Sequence, residues 1–149
     1  MSAYCTMAII PARYGSQRLP GKPLMMIKGK SLIQRVCERV QQAKVIDHFC
    51  VATDDILIYN HVKKLGYDVV MTRYEQPSGT FRCAEVLSQF PMVTHVVNVE
   101  GDEPLIDPQM MRATVSIKIR NLFFMLNAMI LSNIVIQIVK CLHASHVVQ

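Results

Sequence analysis

The sequence predicts an α/β fold in which a mostly parallel sheet is covered by helices. Two observations carry that expectation. Between residue 7 and about residue 112, short apolar runs alternate with segments whose apolar residues recur at helical spacing. The runs are apolar throughout rather than at every second residue, as strands buried on both faces are. A third observation adds an orientation. The unusual polar clusters follow these runs, which places them on one rim, beyond the carboxyl ends of the strands.

The elements follow in order. Met7–Ile10 is a short apolar strand that stops at Pro11. Ser31–Ala43 is a helix, with Ser31 as N-cap and Leu32, Ile33, Val36, Cys37 and Val40 on one face. Phe49–Ala52 is a buried strand ending at Thr53-Asp54-Asp55, and one of the two aspartates caps the next helix. That helix, Ile56–Leu65, is closed by Gly66 in the left-handed conformation. Asp68–Met71 is a third strand, residues 72–79 a loop, and Thr80–Gln89 a helix for which Ser78-Gly79-Thr80 supplies the cap. His95–Val99 is a fourth strand, and Asp107-Pro108 reads as N-cap and first residue of another helix.

The loop after the first strand is the most informative stretch. From Pro11 to Pro23 it holds three cations (Arg13, Arg18, Lys22), two glycines and three prolines. Prolines fix φ and lower the entropy cost of ordering a loop, while glycines let backbone N–H groups approach a ligand. Three cations within ten residues suit a triphosphate better than a monophosphate. A basic surface loop is the plainer reading of the composition. The spacing matches neither the Walker loop nor the G-x-G-x-x-G dinucleotide turn.

The fourth strand ends in Glu100-Gly101-Asp102-Glu103-Pro104. Carboxylates at a strand's end are placed to hold Mg²⁺, which takes one or two of them with phosphate oxygens and waters. An acidic turn in water is the alternative. The start of the helix after Ser78 is a place for ligand contact. Arg82 in its first turn opposes the helix dipole, so it is expected to face something negative or polar.

The 149 residues are one domain's worth of chain, 51% hydrophobic and 18% charged, with a net charge of +5. Residues 1–112 hold 13 Lys/Arg and all 11 Asp/Glu; residues 113–149 hold Lys118, Arg120 and Lys140 and no acid. The basic balance thus comes mostly from the tail. With no cluster of cations and interleaved aromatics, nucleic acid is not an expected partner. The five cysteines are widely spaced, without a C-x-x-C pair, and read as buried hydrophobes in a reducing compartment. No secretory signal is visible at Met-Ser-Ala-Tyr-Cys, so the expected location is the cytoplasm. The histidines lack metal-ligand spacing.

The domain organisation expected is a nucleotide-binding α/β region over 1–115 and a divergent apolar tail over 116–149. Asn121–Val139 is uncharged for 19 residues, but five of them are Asn, Gln or Ser. It reads as a poorly specified apolar segment or buried helix rather than a membrane span.

Four segments carry a family resemblance: Pro11-Ala12-Arg13-Tyr14-Gly15-Ser16-Gln17-Arg18-Leu19-Pro20-Gly21-Lys22-Pro23-Leu24, Val51-Ala52-Thr53-Asp54-Asp55, Ser78-Gly79-Thr80-Phe81-Arg82 and Val97-Asn98-Val99-Glu100-Gly101-Asp102-Glu103-Pro104. In this order they resemble the 3-deoxy-manno-octulosonate (KDO) cytidylyltransferases, or CMP-KDO synthetases. The resemblance implies a Rossmann-like nucleotidyltransferase fold. It implies joining CTP and KDO to give CMP-KDO and pyrophosphate, with Mg²⁺, in the cytoplasm for lipopolysaccharide synthesis. Carried over, Arg13 and Lys22 bind the triphosphate with Arg18 in support, and Ala12, Ser78 and Gly79 lie near base and ribose. Arg82 belongs to the same nucleotide-binding set, and Asp102 is the Mg²⁺ ligand. Arg13, Lys22 and Asp102 form the expected catalytic set.

The chain departs from the family pattern at Glu100, where Gln is usual, at Gln76, where His is frequent, and at Phe81, where an acid is usual. The match fades around Arg112–Val115. The family's second half normally supplies sugar-binding residues, a second metal-binding Asp and the surface of a homodimer, so the dimer is expected to be compromised. The alternative reading is a truncated, inactive remnant that keeps a partial CTP cradle.

Overall fold

A computed structural model of the chain describes residues 5–15, 19–76, 78–111 and 137–140. Strand β1 (Thr6–Ala12) runs through the centre. A single turn of 3-10 helix (Lys22–Leu24) and a hairpin of β2 (Met26–Ile27) and β3 (Lys30–Ser31) lead into helix α1 (Leu32–Gln42). Strand β4 (His48–Thr53), helix α2 (Ile56–Lys64), strand β5 (Val69–Met71), helix α3 (Gly79–Leu87) and strand β6 (His95–Asn98) follow. Strand β7 (Gln137–Lys140) is the last of the described elements.

The sheet order is β5-β4-β1-β6-β7. The first three pairings are parallel and β7 runs antiparallel to β6. Side chains alternate between the faces of β1. Ala8, Ile10 and Ala12 join α1 and α2 in one core, with Ile33, Val36, Val40, Ile58 and Val62. Met7 and Ile9 join Cys83, Val86 and Leu87 of α3 in the other. Both faces of β1 are covered, which is why its sequence is apolar without alternation.

The chain travels outward from β1 to β4 and β5 with its helices on one face, then returns under the other face through α3 to β6. Direction therefore reverses between β1 and β6. In open α/β sheets the crevice at such a reversal is where ligands bind.

The elements read from the sequence are found, with differences at their edges. Ser31 caps α1, its hydroxyl accepting from the Gln34 N–H at 3.2 Å. Gly66 closes α2 with φ +83°. Asp107 accepts from the Gln109 N–H at 2.8 Å and residues 108–111 are helical. The β2–β3 hairpin was not anticipated; Lys28 and Gly29 turn it with φ 46° and 79°.

The first strand does not stop at Pro11; it continues to Ala12. The reason is one of direction. The Ile9 carbonyl accepts from the Val99 N–H, so Ile9 faces β6, and Pro11, two residues on, faces the same way. Pairing of β1 with β6 ends at Ile9–Asn98. The missing N–H of Pro11 thus points where, among the described residues, no strand remains to be paired.

Of the tail expected over 116–149, the described part is an extended strand, not a helix. The rest of the Asn121–Val139 reading lies outside the described residues. Among the described residues no helix is long and apolar enough to cross a membrane. Cys37, Cys50 and Cys83 are buried free thiols whose pKa values burial pushes up to about 12, so they behave as hydrophobes.

The two adjacent aspartates after β4 have separate tasks. Asp55 caps α2, accepting from the N–H groups of Leu57 at 2.8 Å and Ile58 at 3.2 Å. Asp54 turns inward and pairs with the Arg82 guanidinium at 2.9 Å; both side chains are buried. Arg82 also donates to the Thr72 hydroxyl. One cation thus joins β4, the loop after β5 and the start of α3. Removing one partner of such a pair strands the other charge, at a cost of about 3–5 kcal/mol. Asp54→Ala is therefore expected to lower the unfolding free energy by about that much in urea titrations, whereas Asp55→Ala loses one cap, about 1 kcal/mol. Equal losses at the two positions would contradict this division.

Candidate functional site

A cleft of about 480 Å³ opens at the carboxyl ends of β1 and β6. Its walls come from three places. Pro11, Ala12, Arg13 and Gly15 continue β1; Lys22 and Pro23 belong to the 3-10 turn; Glu100, Gly101 and Asp102 continue β6. Gly79, at the start of α3, closes one side.

Local sequence explains how each group arrives. The Gly21 N–H donates to the Tyr14 carbonyl at 2.8 Å, closing the cationic loop on itself. Gly21 sits at φ +70° with the Tyr14 ring packed where a side chain would stand, so glycine is needed twice over. Pro23 then stiffens the turn that presents Lys22. At the other wall, a Cβ on Gly101 would lie 2.6 Å from the Pro11 carbonyl oxygen. Only a residue without a side chain lets the acidic turn come this close to β1.

Lys22 Nζ reaches Asp102 Oδ2 at 2.6 Å, so the cationic turn and the acidic turn meet across the cleft. The two side chains are 37% and 49% exposed. Solvent screening limits such a pair to about 0–1 kcal/mol, so a ligand can part it at little cost. Arg13 is exposed at the rim, its Nη2 donating to the Gln76 backbone carbonyl. Ser78 caps α3, its hydroxyl accepting from the Phe81 N–H at 3.4 Å. The positive end of that helix dipole adjoins the cleft at Gly79.

The residues singled out in the sequence therefore divide. Ala12, Arg13, Lys22, Gly79 and Asp102 line one cleft, and Ser78 adjoins it. Arg18 lies outside the described residues. Arg82 lines no part of the cleft: it is fully buried, and its negative partner is Asp54. The expectation that Arg82 faces a negative group holds; its place among ligand-binding residues does not fit the geometry. Gln76 stands out in the sequence only as a departure from the family pattern; its contact with Arg13 is made by the backbone carbonyl, which side-chain chemistry does not reveal.

A mostly parallel sheet covered by helices, with a cleft where its direction reverses, is the fold class of the nucleotidyltransferases. Residues 7–132 match the sequence model of the family described as Cytidylyltransferase, and the chain belongs to that family. A 3-deoxy-manno-octulosonate cytidylyltransferase of Syntrophotalea carbinolica is 53% identical over 109 residues, 73% of this chain and 43% of that protein. An 8-amino-3,8-dideoxy-manno-octulosonate cytidylyltransferase of Shewanella pealeana is 48% identical over 111 residues, 73% of this chain and 45% of that protein. The solved structure of a CMP:2-keto-3-deoxy-manno-octonic acid synthetase complexed with CTP superposes with a TM-score of 0.77. It is 39% identical, covering 79% of this chain and 48% of that one. The chain thus spans less than half the length of these relatives.

Glu100 is the half-buried acid of the cleft. Burial, and then the neighbouring charges of Asp102 and Glu103, push its carboxyl above the usual range. A raised carboxyl pKa means the folded state holds the proton longer than the unfolded one. Stability therefore falls as pH climbs from the unfolded value through the folded one. Glu100→Gln removes this penalty. With chelator present, the variant is expected to melt higher than the parent at pH 7 and no higher at pH 3.5. A parent that melts higher at pH 7 would show the charged form to be favoured by the fold.

Proposed function

We propose that this chain binds CTP in the cleft between β1 and β6 and serves the transfer of CMP to KDO, releasing pyrophosphate. The observation that carries the reading is the meeting of Lys22 and Asp102 at 2.6 Å at the point where the sheet reverses direction. A cation and a carboxylate so placed suit a triphosphate and its counter-cation. Arg13 and Lys22 neutralise phosphate oxygens, the start of α3 adds its dipole, and Ala12, Ser78 and Gly79 border the base and ribose. Arg18 supports the phosphates from the same loop. The relatives' names support CTP as donor and a KDO-type sugar acid as acceptor.

The donor set also fits Mg²⁺. Among the described residues no three His, Cys, Asp or Glu side chains converge on a closed metal site. The rim offers hard oxygen from Asp102, with Glu100 and Glu103 nearby. Mg²⁺ takes one or two carboxylates and completes its shell with phosphate oxygens and waters. Held by Asp102, the ion would supply neutralisation of phosphate charge. In the transfer itself the sugar hydroxyl oxygen, giving its proton to solvent, bonds to the α-phosphorus as the bond to pyrophosphate breaks. The protein's share is positioning and fixed charge. We propose the cytoplasm as the place of this reaction; the buried free thiols suit a reducing compartment.

The test is direct. The purified chain, given CTP, KDO and Mg²⁺, is expected to release pyrophosphate. Lys22→Ala is expected to lose on the order of a hundredfold, the scale for removing one charge-stabilising donor. CTP binding by calorimetry without pyrophosphate would confine this chain to nucleotide binding. Absence of both would remove the reading.

A further inference from the structure

Arg13 is the one cleft cation whose guanidinium is held by a group outside the cleft lining among the described residues. Its Nη2 donates to the Gln76 carbonyl. Gln76 belongs to the loop between β5 and α3, and that loop has its own anchor. The carboxylate of Glu85, half-buried on α3, accepts from the Arg73 backbone N–H through Oε1 at 3.1 Å and Oε2 at 3.2 Å. The same Oε2 accepts from the Gln76 side-chain amide. One carboxylate therefore fastens both ends of the 73–76 segment to the helix.

We infer that Glu85, which does not touch the cleft, is a positioning residue that holds Arg13 at its rim through Gln76. The argument rests on mobility. An exposed arginine carries about 2 kcal/mol of rotamer entropy, and a surface loop supplies a fixed acceptor only if it is itself fixed. Charge-assisted hydrogen bonds from backbone and side-chain N–H groups to one carboxylate give that fixity. Gln76 thereby has two tasks. The side chain is used to reach Glu85, and the backbone carbonyl, common to any residue, meets Arg13. The inference rests on the reading of Arg13 as a CTP ligand, but its first readout needs no nucleotide.

In the free protein, the Arg13 guanidinium resonances and the exchange rate of the Arg73 amide report the latch by NMR. In Glu85→Ala the Arg73 amide is expected to exchange at least about tenfold faster and the Arg13 resonances to move to those of a free arginine. CTP affinity, by calorimetry, is expected to fall about tenfold, the loss of one hydrogen bond to a charged group. Combined with Arg13→Ala, the Glu85 substitution is expected to add nothing further, which a general loss of structure would not reproduce. Glu85→Gln keeps one oxygen for the Arg73 N–H and is expected to restore part of both readouts; it also serves should the alanine variant fail to fold. Unchanged Arg13 resonances, or an equal affinity loss with and without Arg13, would overturn the inference. A parent that shows the latch by NMR but binds no CTP would support Glu85 and count against the nucleotide reading.

Discussion

The structure turns on the parting of β6 from β1. The two strands pair in register up to Ile9–Asn98 and then separate. Every feature of the cleft uses that gap. Pro11 is tolerated in a central strand because its absent N–H faces it. Gly101 folds into it, so close to the Pro11 carbonyl that a methyl group would not fit. The acidic turn is thereby pressed against the end of β1, opposite the cationic turn that β1 itself feeds. A longer β6 would close the gap with hydrogen bonds and leave no room for Lys22 to meet Asp102.

Glycine and proline therefore do the positioning, and the charged side chains meet where they lead. Gly21 and Pro23 deliver Lys22; Gly101 delivers Asp102; Gly79 lets α3 begin against Pro11, where a Cβ would lie 3.0 Å from the ring. None of these residues has a functional group of its own. Their role is to bring peptide backbones closer than side chains allow.

Much of this was legible in the sequence because it is local. Apolar runs reveal strands buried on both faces, and Ser31, Asp55, Ser78 and Asp107 announce helix starts through capping chemistry that needs only the next three residues. The rim was legible because β-strands in a parallel sheet all point the same way. What was not legible is long-range pairing. Arg82 has the right charge and a place in a motif, yet nothing nearby in sequence shows that Asp54, 28 residues away, takes that charge inward. The extension of β1 through Pro11 depends on where β6 ends. The hairpin at Lys28-Gly29 left only half a signal: a residue–glycine pair follows the apolar Leu24–Ile27, but the returning strand is the polar Lys30-Ser31.

The buried pair and the exposed pair divide the labour between stability and function. Arg82 and Asp54 are out of water, so their mutual attraction is strong and neither can be freed without a large penalty. They suit a bolt between elements. Lys22 and Asp102 share the same chemistry at a similar distance but stand half in solvent, where attraction is screened. They hold each other at the cleft in a defined geometry and release at little cost. On the proposed reading, a cation committed as firmly as Arg82 could not serve an incoming phosphate, and an unpaired one would wander. The half-exposed pair avoids both, and its position at the sheet's reversal is what makes that compromise available.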